Sequence, residues 1–395
     1  MKTVGIICEY NPFHNGHRRQ IQLIREKYGE NSTVVCLMSG NFVQRGEPAL
    51  VNKLARAEMA VDCGADLVLE LPTPWAMATA ETFARGGVQL LAMAGCDYIA
   101  FGSECGDAAA LQKVADTLLL PDLQEDIRRE LTAGVTYAAA RQQAVQARLG
   151  DAAAVLRQPN DTLAVEYLKA CRREMVDITP EVVRRVGAAH DGGTADGFAS
   201  ASHIRQLTGQ GRAEEAFGYM PEPAAAVLRR ELAAGRVTDV QCVERAILAR
   251  LRQMDEAAFA SYDGGGEGLY HRVYDAVRRC ATLEELLAAV KTKRYPAARL
   301  RRMVLAAWLD VEPAPDTVPY ARVLAANEAG RRVLRQMQDA GQPVLTKAAD
   351  VAALGKAAET LFRQEAACTD LYVLAYKALE QSVPGSDWRL TPVMR

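Results

Sequence analysis

Two histidines three residues apart stand in the run Asn11-Pro12-Phe13-His14-Asn15-Gly16-His17, which follows directly on the apolar stretch Val4-Gly5-Ile6-Ile7-Cys8. A His-x-Gly-His between a buried strand and an opening helix puts both imidazoles on one face of the first helical turn. Unpaired backbone N–H groups and the helix dipole favour a phosphate there. Ring N–H donors aimed at an α-phosphate suit nucleotidyl transfer, which depends on positioning and on stabilising the charge that develops in the transition state. The competing reading, a pair of surface histidines, is weakened by the strand and helix on either side of the motif. Glu9 and Asn11 lie on the loop that leaves the strand, at the carboxyl edge where open α/β sheets bind ligands. Asn11 could hold a nucleotide or substrate, or Asn11-Pro12 could be a plain turn.

A second constellation, Ser200-Ala201-Ser202-His203-Ile204-Arg205, sets two hydroxyls and a guanidinium at a helix start. That combination suits the β- and γ-phosphates of ATP or departing pyrophosphate, although an ordinary N-cap with an exposed arginine has the same spacing. The loop at residues 39–48 mixes Phe42, Gln44, Arg45 and Glu47, and a polar loop of this length is more often functional than idle. Lys53 and Arg56 either add positive charge toward a ligand or decorate a solvated helix. Gly102 permits close approach of an adenine or ribose, and Glu104 either holds Mg²⁺ through water or is a surface carboxylate. Lys291, Lys293, Arg294, Arg299, Arg301 and Arg302 form a basic strip around Tyr295 with no acidic residue among them, which suits an RNA backbone or a solvated face. No two histidines have zinc-ligand spacing, so no metal ligands are assigned. Neither a Walker loop, a Gly-x-Gly-x-x-Gly nor a Gly-x-Ser-x-Gly is present.

The elements that must position these residues follow from the hydrophobic pattern. Apolar runs at 4–8, 33–38, 67–71 and 98–101 alternate with helical patterns near 16–28, 52–63 and 81–94. The chain is therefore read as α/β, with a Rossmann-like doubly wound parallel sheet covered on both faces and a mainly helical C-terminal region. A strand around 181–186 would close the sheet. The expected domains are 1–211 for nucleotide binding and catalysis, 212–310 as a helical candidate for RNA binding, and 311–395 as a linker and mainly helical segment with a short strand at 342–346. A chain of 395 residues, 49% hydrophobic and 24% charged, is long enough for more than one core. Its nine cysteines are scattered without a Cys-x-x-Cys pair and read as free thiols. No signal peptide or apolar run of membrane-spanning length is visible, so no membrane partner is expected and the cytoplasm is the expected compartment. A net charge of −2 leaves any nucleic acid to a local basic surface. From the residues alone, a nucleotidyltransferase joining AMP or CMP to a small phosphorylated metabolite and an RNA-binding module without catalysis both stay open. The metabolite transferase would need neither the basic strip nor the extra helical half.

Taken together, the motif carrying His14 and His17, Met38-Ser39-Gly40-Asn41-Phe42-Val43-Gln44-Arg45-Gly46-Glu47-Pro48-Ala49, Gly64-Ala65-Asp66-Leu67-Val68-Leu69-Glu70-Leu71-Pro72, Phe101-Gly102-Ser103-Glu104, Pro159-Asn160-Asp161-Thr162-Leu163-Ala164 and the 200–205 segment resemble the bacterial tRNA(Met) cytidine acetate ligases, a branch of the HIGH-type nucleotidyltransferases. The resemblance runs through most of the chain. It implies that ATP, with Mg²⁺, is contacted by Ile7, Cys8, Glu9, Asn11, His14, Asn15, Gly16, His17, Gln20, Gly102, Asn160 and Arg185. It further implies acetate as acyl donor and the wobble cytidine of elongator tRNA(Met) as acceptor. Ser202 stands where the family pattern often has threonine, and Ala188-Ala189-His190-Asp191 departs from its usual Gly-Tyr-His-Asp.

Overall fold

In the computed structural model, residues 2–132, 135–184, 194–195, 197–263 and 268–395 are described. The first apolar runs form β1 (Thr3–Cys8) and β2 (Thr33–Ser39), and the polar loop after them folds into a small hairpin, β3 (Phe42–Val43) with β4 (Glu47–Pro48). Next come β5 (Leu67–Leu71), β6 (Tyr98–Ser103), β7 (Thr179–Arg184) and a second small hairpin, β8 (Thr194–Ala195) with β9 (Phe198–Ala199). The tail contributes β10 (Ala321–Ala326), β11 (Val344–Leu345) and β12 (Val393–Met394). The main sheet runs β11-β10-β5-β2-β1-β6-β7, with β12 also on β10. Helices Asn15–Tyr28, Lys53–Asp62 and Ala80–Met93 connect its strands as the alternating pattern predicts.

Neighbouring residues of one strand point into opposite cores, which is why these strands are uninterrupted apolar runs. Val35 and Leu37 of β2 join the core on one face with Leu67 and Leu69, while Val34, Cys36 and Met38 join the other with Val4, Ile6 and Val68. Successive strands leave β1 toward β2 and β5 on one side and continue as β6 and β7 on the other, so the order reverses between β1 and β6. That reversal opens a crevice at the carboxyl ends of the two strands, where β1 delivers the histidine motif. All nine cysteines are free thiols, and Cys36, Cys96, Cys171 and Cys368 are buried, as expected.

The sheet departs from an all-parallel one at a single edge. Segment 321–326 lies antiparallel to β5, with Arg322 opposite Glu70 and Val323 opposite Leu69. The tail was expected to be mainly helical apart from a short strand at 342–346. That short strand is present as β11, and β10 is an addition. Ala-Arg-Val-Leu-Ala-Ala has a composition equally at home in a helix, and only its partner strand makes it extended. A third core collects Val243, Ile247, Leu286, Met303 and Trp308 of the helical region with Cys368 and Tyr372 of the tail. Phe42 of β3 enters this core edge-on to Trp308 and Tyr372, with ring centroids 6.4 and 5.9 Å apart.

Lys53 and Arg56 correct their sequence reading, for both are buried and neither faces ligand or water. Lys53 Nζ lies 2.8 Å from Glu70 and 2.9 Å from Asp387 of the tail, and Arg322 lies 3.3 Å from the same Asp387 oxygen. Glu365 joins this cluster by accepting from Thr73 N–H (2.8 Å) and its hydroxyl (3.0 Å). Burial and the nearby Glu70 charge push the Glu365 carboxyl up to about 8. Arg56 donates to the carbonyls of Val51 (3.1 Å), Glu9 (2.6 Å), Ser39 (3.1 Å) and Gly40, gathering the ends of β1 and β2. Buried carbonyls need such partners.

Candidate active site

A cavity of about 290 Å³ opens at the β1/β6 crevice. His14 is the N-cap of helix Asn15–Tyr28, and its Nδ1 accepts the Gly16 N–H at 3.0 Å. Its own N–H donates to Nδ1 of His17 at 3.3 Å, so the two rings cap the helix reciprocally and stack with centroids 3.7 Å apart. An imidazole whose Nδ1 accepts carries its ring proton on Nε2, so each ring becomes an Nε2–H donor. Gly16 is required, because a Cβ there would lie 2.9 Å from His14 Cε1. Tyr10 and Phe13, both buried, fix the His17 ring at centroid distances of 4.7 and 5.5 Å.

The same cavity is lined by Ser200, Ser202 and Arg205. Ser200 caps helix Ala201–Gly209 by accepting the His203 N–H, and its hydroxyl is 2.9 Å from that of Ser202, so the capping and cavity-facing readings hold together. Arg205 donates to the Asn11 carbonyl at 2.8 Å and lies 3.7 Å from Glu47. Burial lowers its pKa from the usual guanidinium value, against the opposing pull of Glu47 and Glu9. Glu9 accepts the Gln44 N–H at 2.9 Å, and burial raises its pKa despite that bond and Arg205, Arg45 and Arg56 nearby.

Ile7, Cys8, Glu9, Asn11, Gln20, Gly102 and Asn160 line the same cavity as the histidines. Asn11 is also structural, since its Oδ1 accepts the Leu50 N–H at 2.7 Å. Asn15 and Gly16 belong to the turn beside the cavity, where the Asn15 amide donates to the Gly197 carbonyl. Arg185 and His190 lie outside the described residues. Glu104 is not a free surface carboxylate. It accepts from Asn160 Nδ2 (2.5 Å) and Asp161 N–H (3.0 Å), and buried Asp161 answers by accepting from the N–H groups of Glu104 (2.9 Å) and Cys105 (3.1 Å). This clamp starts helix Pro159–Arg173 and fixes Asn160 on the cavity wall.

Gln44, Arg45 and Glu47 line the cavity from the hairpin loop, whose length and polarity were its sequence signal. Phe83, Leu163 and Tyr167 do so from helices, where nothing in a linear pattern separates them from ordinary core. In the basic strip, Lys291, Lys293 and Arg294 are exposed, whereas Arg299, Arg301 and Arg302 are half-buried. Arg299 pairs with Asp263 at 3.2 Å, Arg301 donates to the Arg45 carbonyl and Arg302 to the Gln44 carbonyl, each at 3.1 Å.

A doubly wound sheet with a His-x-Gly-His turn at its switch point, sharing one cavity with two hydroxyls and a guanidinium, defines a protein of the nucleotidyltransferase class. The sequence model of the HIGH Nucleotidyl Transferase family matches residues 1–386. The tRNA(Met) cytidine acetate ligase of Caldanaerobacter subterraneus subsp. tengcongensis is 36% identical over 393 residues, covering 95% of this chain and 96% of that protein. The protein of the same name from Thermoanaerobacter sp. is 36% identical over 402 residues, with 98% of each chain covered. Two crystal structures of Thermotoga maritima TmcAL, one apo and one bound with alpha-thio ATP, superpose with TM-scores of 0.94 and 0.93 at 30% identity, covering 100% of this chain and 99% of that one. The chain belongs to the tRNA(Met) cytidine acetate ligase family of HIGH nucleotidyltransferases.

Proposed function

We propose that this protein is an ATP-dependent ligase that activates acetate as acetyl-adenylate and transfers the acetyl group to the exocyclic amine of the wobble cytidine of elongator tRNA(Met), forming N4-acetylcytidine. A free carboxylate is a poor acyl donor and first needs a good leaving group. In the first step an acetate oxygen forms a bond to the α-phosphorus and the bond to pyrophosphate breaks. Nε2–H of His14 and of His17 donates to the α-phosphate oxygens, while Ser200, Ser202 and Arg205 hold the departing pyrophosphate. In the second step the cytosine amine attacks the acyl carbon, AMP leaves, and the amine loses its proton. The walls formed by Ile7, Phe83 and Tyr167 keep water from the mixed anhydride. ATP is supported by the alpha-thio ATP bound to the Thermotoga relative. Among the described residues no group of three or more His, Cys, Asp and Glu side chains could hold a metal, so Mg²⁺ would enter with the triphosphate.

The observation that carries this reading is the shared cavity, in which both imidazoles and the Ser200/Ser202/Arg205 group face one space beside Gly102 and Asn160. Incubating tRNA(Met) with the protein, ATP and isotopically labelled acetate, then weighing the nucleosides, tests it. A labelled acetylcytidine is expected, and its absence would remove the reading.

Splaying an anticodon base into the cavity needs the tRNA to be held elsewhere, and the basic strip of region 212–310 supplies that surface. Among the described residues no helix is long and apolar enough to cross a membrane, and the reaction is assigned to the cytoplasm, where its substrates meet. Because Arg299, Arg301 and Arg302 are half-buried, the exposed residues make the cleaner test. The triple variant Lys291→Glu, Lys293→Glu, Arg294→Glu is expected to weaken tRNA binding at least about tenfold and to flatten its salt dependence by about three phosphate contacts. Unchanged binding in a filter or anisotropy titration would reduce the strip to a solvated face.

A further inference from the structure

The hairpin between β3 and β4 joins the nucleotide cavity to the helix that continues the basic strip, Ala297–Leu309. Gln44, at one end of its loop, donates to Glu9 inside the cavity and offers its carbonyl to Arg302. Gly46, with φ +73°, lies so close to the helix that a Cβ there would sit 2.5 Å from the Arg302 backbone nitrogen. Glu47 stands between two arginines, with Oε2 3.7 Å from Arg205 of the Ser200–Arg205 turn and Oε1 3.4 Å from Arg301 of the helix, so the two share the charge of one carboxylate. All three side chains are half-buried, which keeps their interaction above that of a fully solvated pair.

We propose that Glu47 is a positioning residue that sets how strongly Arg205 grips the polyphosphate, and that Arg301 tunes it from the helical region by competing for the same carboxylate. The inference rests on the functional reading above. Before ATP enters, Glu47 and the Asn11 carbonyl hold the Arg205 guanidinium at the cavity wall. When the triphosphate arrives, Arg205 passes from a carboxylate to phosphate oxygens and Glu47 stays paired with Arg301. Glu47 therefore weakens ground-state binding of ATP and offers Arg205 a partner again when pyrophosphate leaves. Arg301 shares the carboxylate and so lessens its hold on Arg205. The helix bearing the basic strip thereby reaches the phosphate site through one side chain.

The two partners carry opposite signs, which separates this role from a merely structural one. In acetate-dependent ATP–pyrophosphate exchange without tRNA, Glu47→Gln is expected to lower KM for ATP about fivefold and to lower kcat as pyrophosphate is retained. Arg301→Met, which takes Arg301 from Glu47 and also removes its bond to the Arg45 carbonyl, is expected to raise KM by a similar factor. The double variant should match Glu47→Gln, because Arg301 acts through Glu47. Damage to the hairpin would instead raise KM in both single variants. Shifts in the same direction, additive effects in the double variant, or no shift would each overturn the proposal. A wild-type protein without acetate-dependent exchange would overturn the functional reading, and the same shifts measured as dissociation constants for a non-hydrolysable ATP analogue would still decide on Glu47.

Discussion

Replacing His17 by alanine is expected to lower acetate-dependent ATP–pyrophosphate exchange by about 100- to 1,000-fold while the protein stays folded. The magnitude is that of removing one preorganised donor from a site of developing charge. The ring's Nδ1 is committed to the His14 N–H, so Nε2–H is the atom the substitution takes from the cavity. His14 would also lose its stacking partner at 3.7 Å, and the helix would lose half of its reciprocal cap. The cap loss costs about 1 kcal/mol, too little to unfold a domain and visible as a small drop in Tm. The loss should appear in kcat, with KM for ATP changed little, because the donor acts on charge that grows as pyrophosphate departs. Wild-type exchange rates in the variant would remove His17 from the mechanism.

Lys53→Met is expected to destabilise the protein by about 3–5 kcal/mol, since removing one partner of a buried ion pair leaves an uncompensated charge in the interior. Methionine fills nearly the same volume, so the lost charge and hydrogen bonds dominate. Arg322 would be the remaining cation for Glu70 and Asp387, with Thr369 still donating to Asp387, beside a Glu365 whose carboxyl burial pushes up to about 8. Asp387 is the tail's anchor in this cluster, and β12 follows it onto β10. Hydrogen exchange should therefore rise first in residues 386–394 and in β10, with a lowered midpoint in denaturant unfolding. A loss below about 1 kcal/mol would show that packing, not the ion cluster, holds the tail.

The four leading strands and the helices between them were readable because burial on both faces demands continuous Val, Ile and Leu, and few other folds use such runs between amphipathic helices. The site was readable where its residues are consecutive, as in the His14–His17 turn and the Ser200–Arg205 turn. Lys53, Arg56 and Glu104 were not. A charged residue near a helix start has the same local signature whether it faces water, a ligand or a buried partner. Lys53 meets an Asp387 that is 334 positions away, and Glu104 an Asn160 that is 56 away. The strand β10 was hidden for a related reason, since its alanines carry little β preference until β5 lies beside them.

Chemistry came from the linear chain by itself: the order of strands, the spacing of two imidazoles, the glycine that lets them stack and the pairing of hydroxyls with an arginine are all local, fixed within one or two turns of backbone. Which charges are silent and which are available was decided only by tertiary structure. Burial depends on what the rest of the chain brings alongside, and a carboxylate such as Glu47 acquires its meaning from two arginines that no local pattern places next to it.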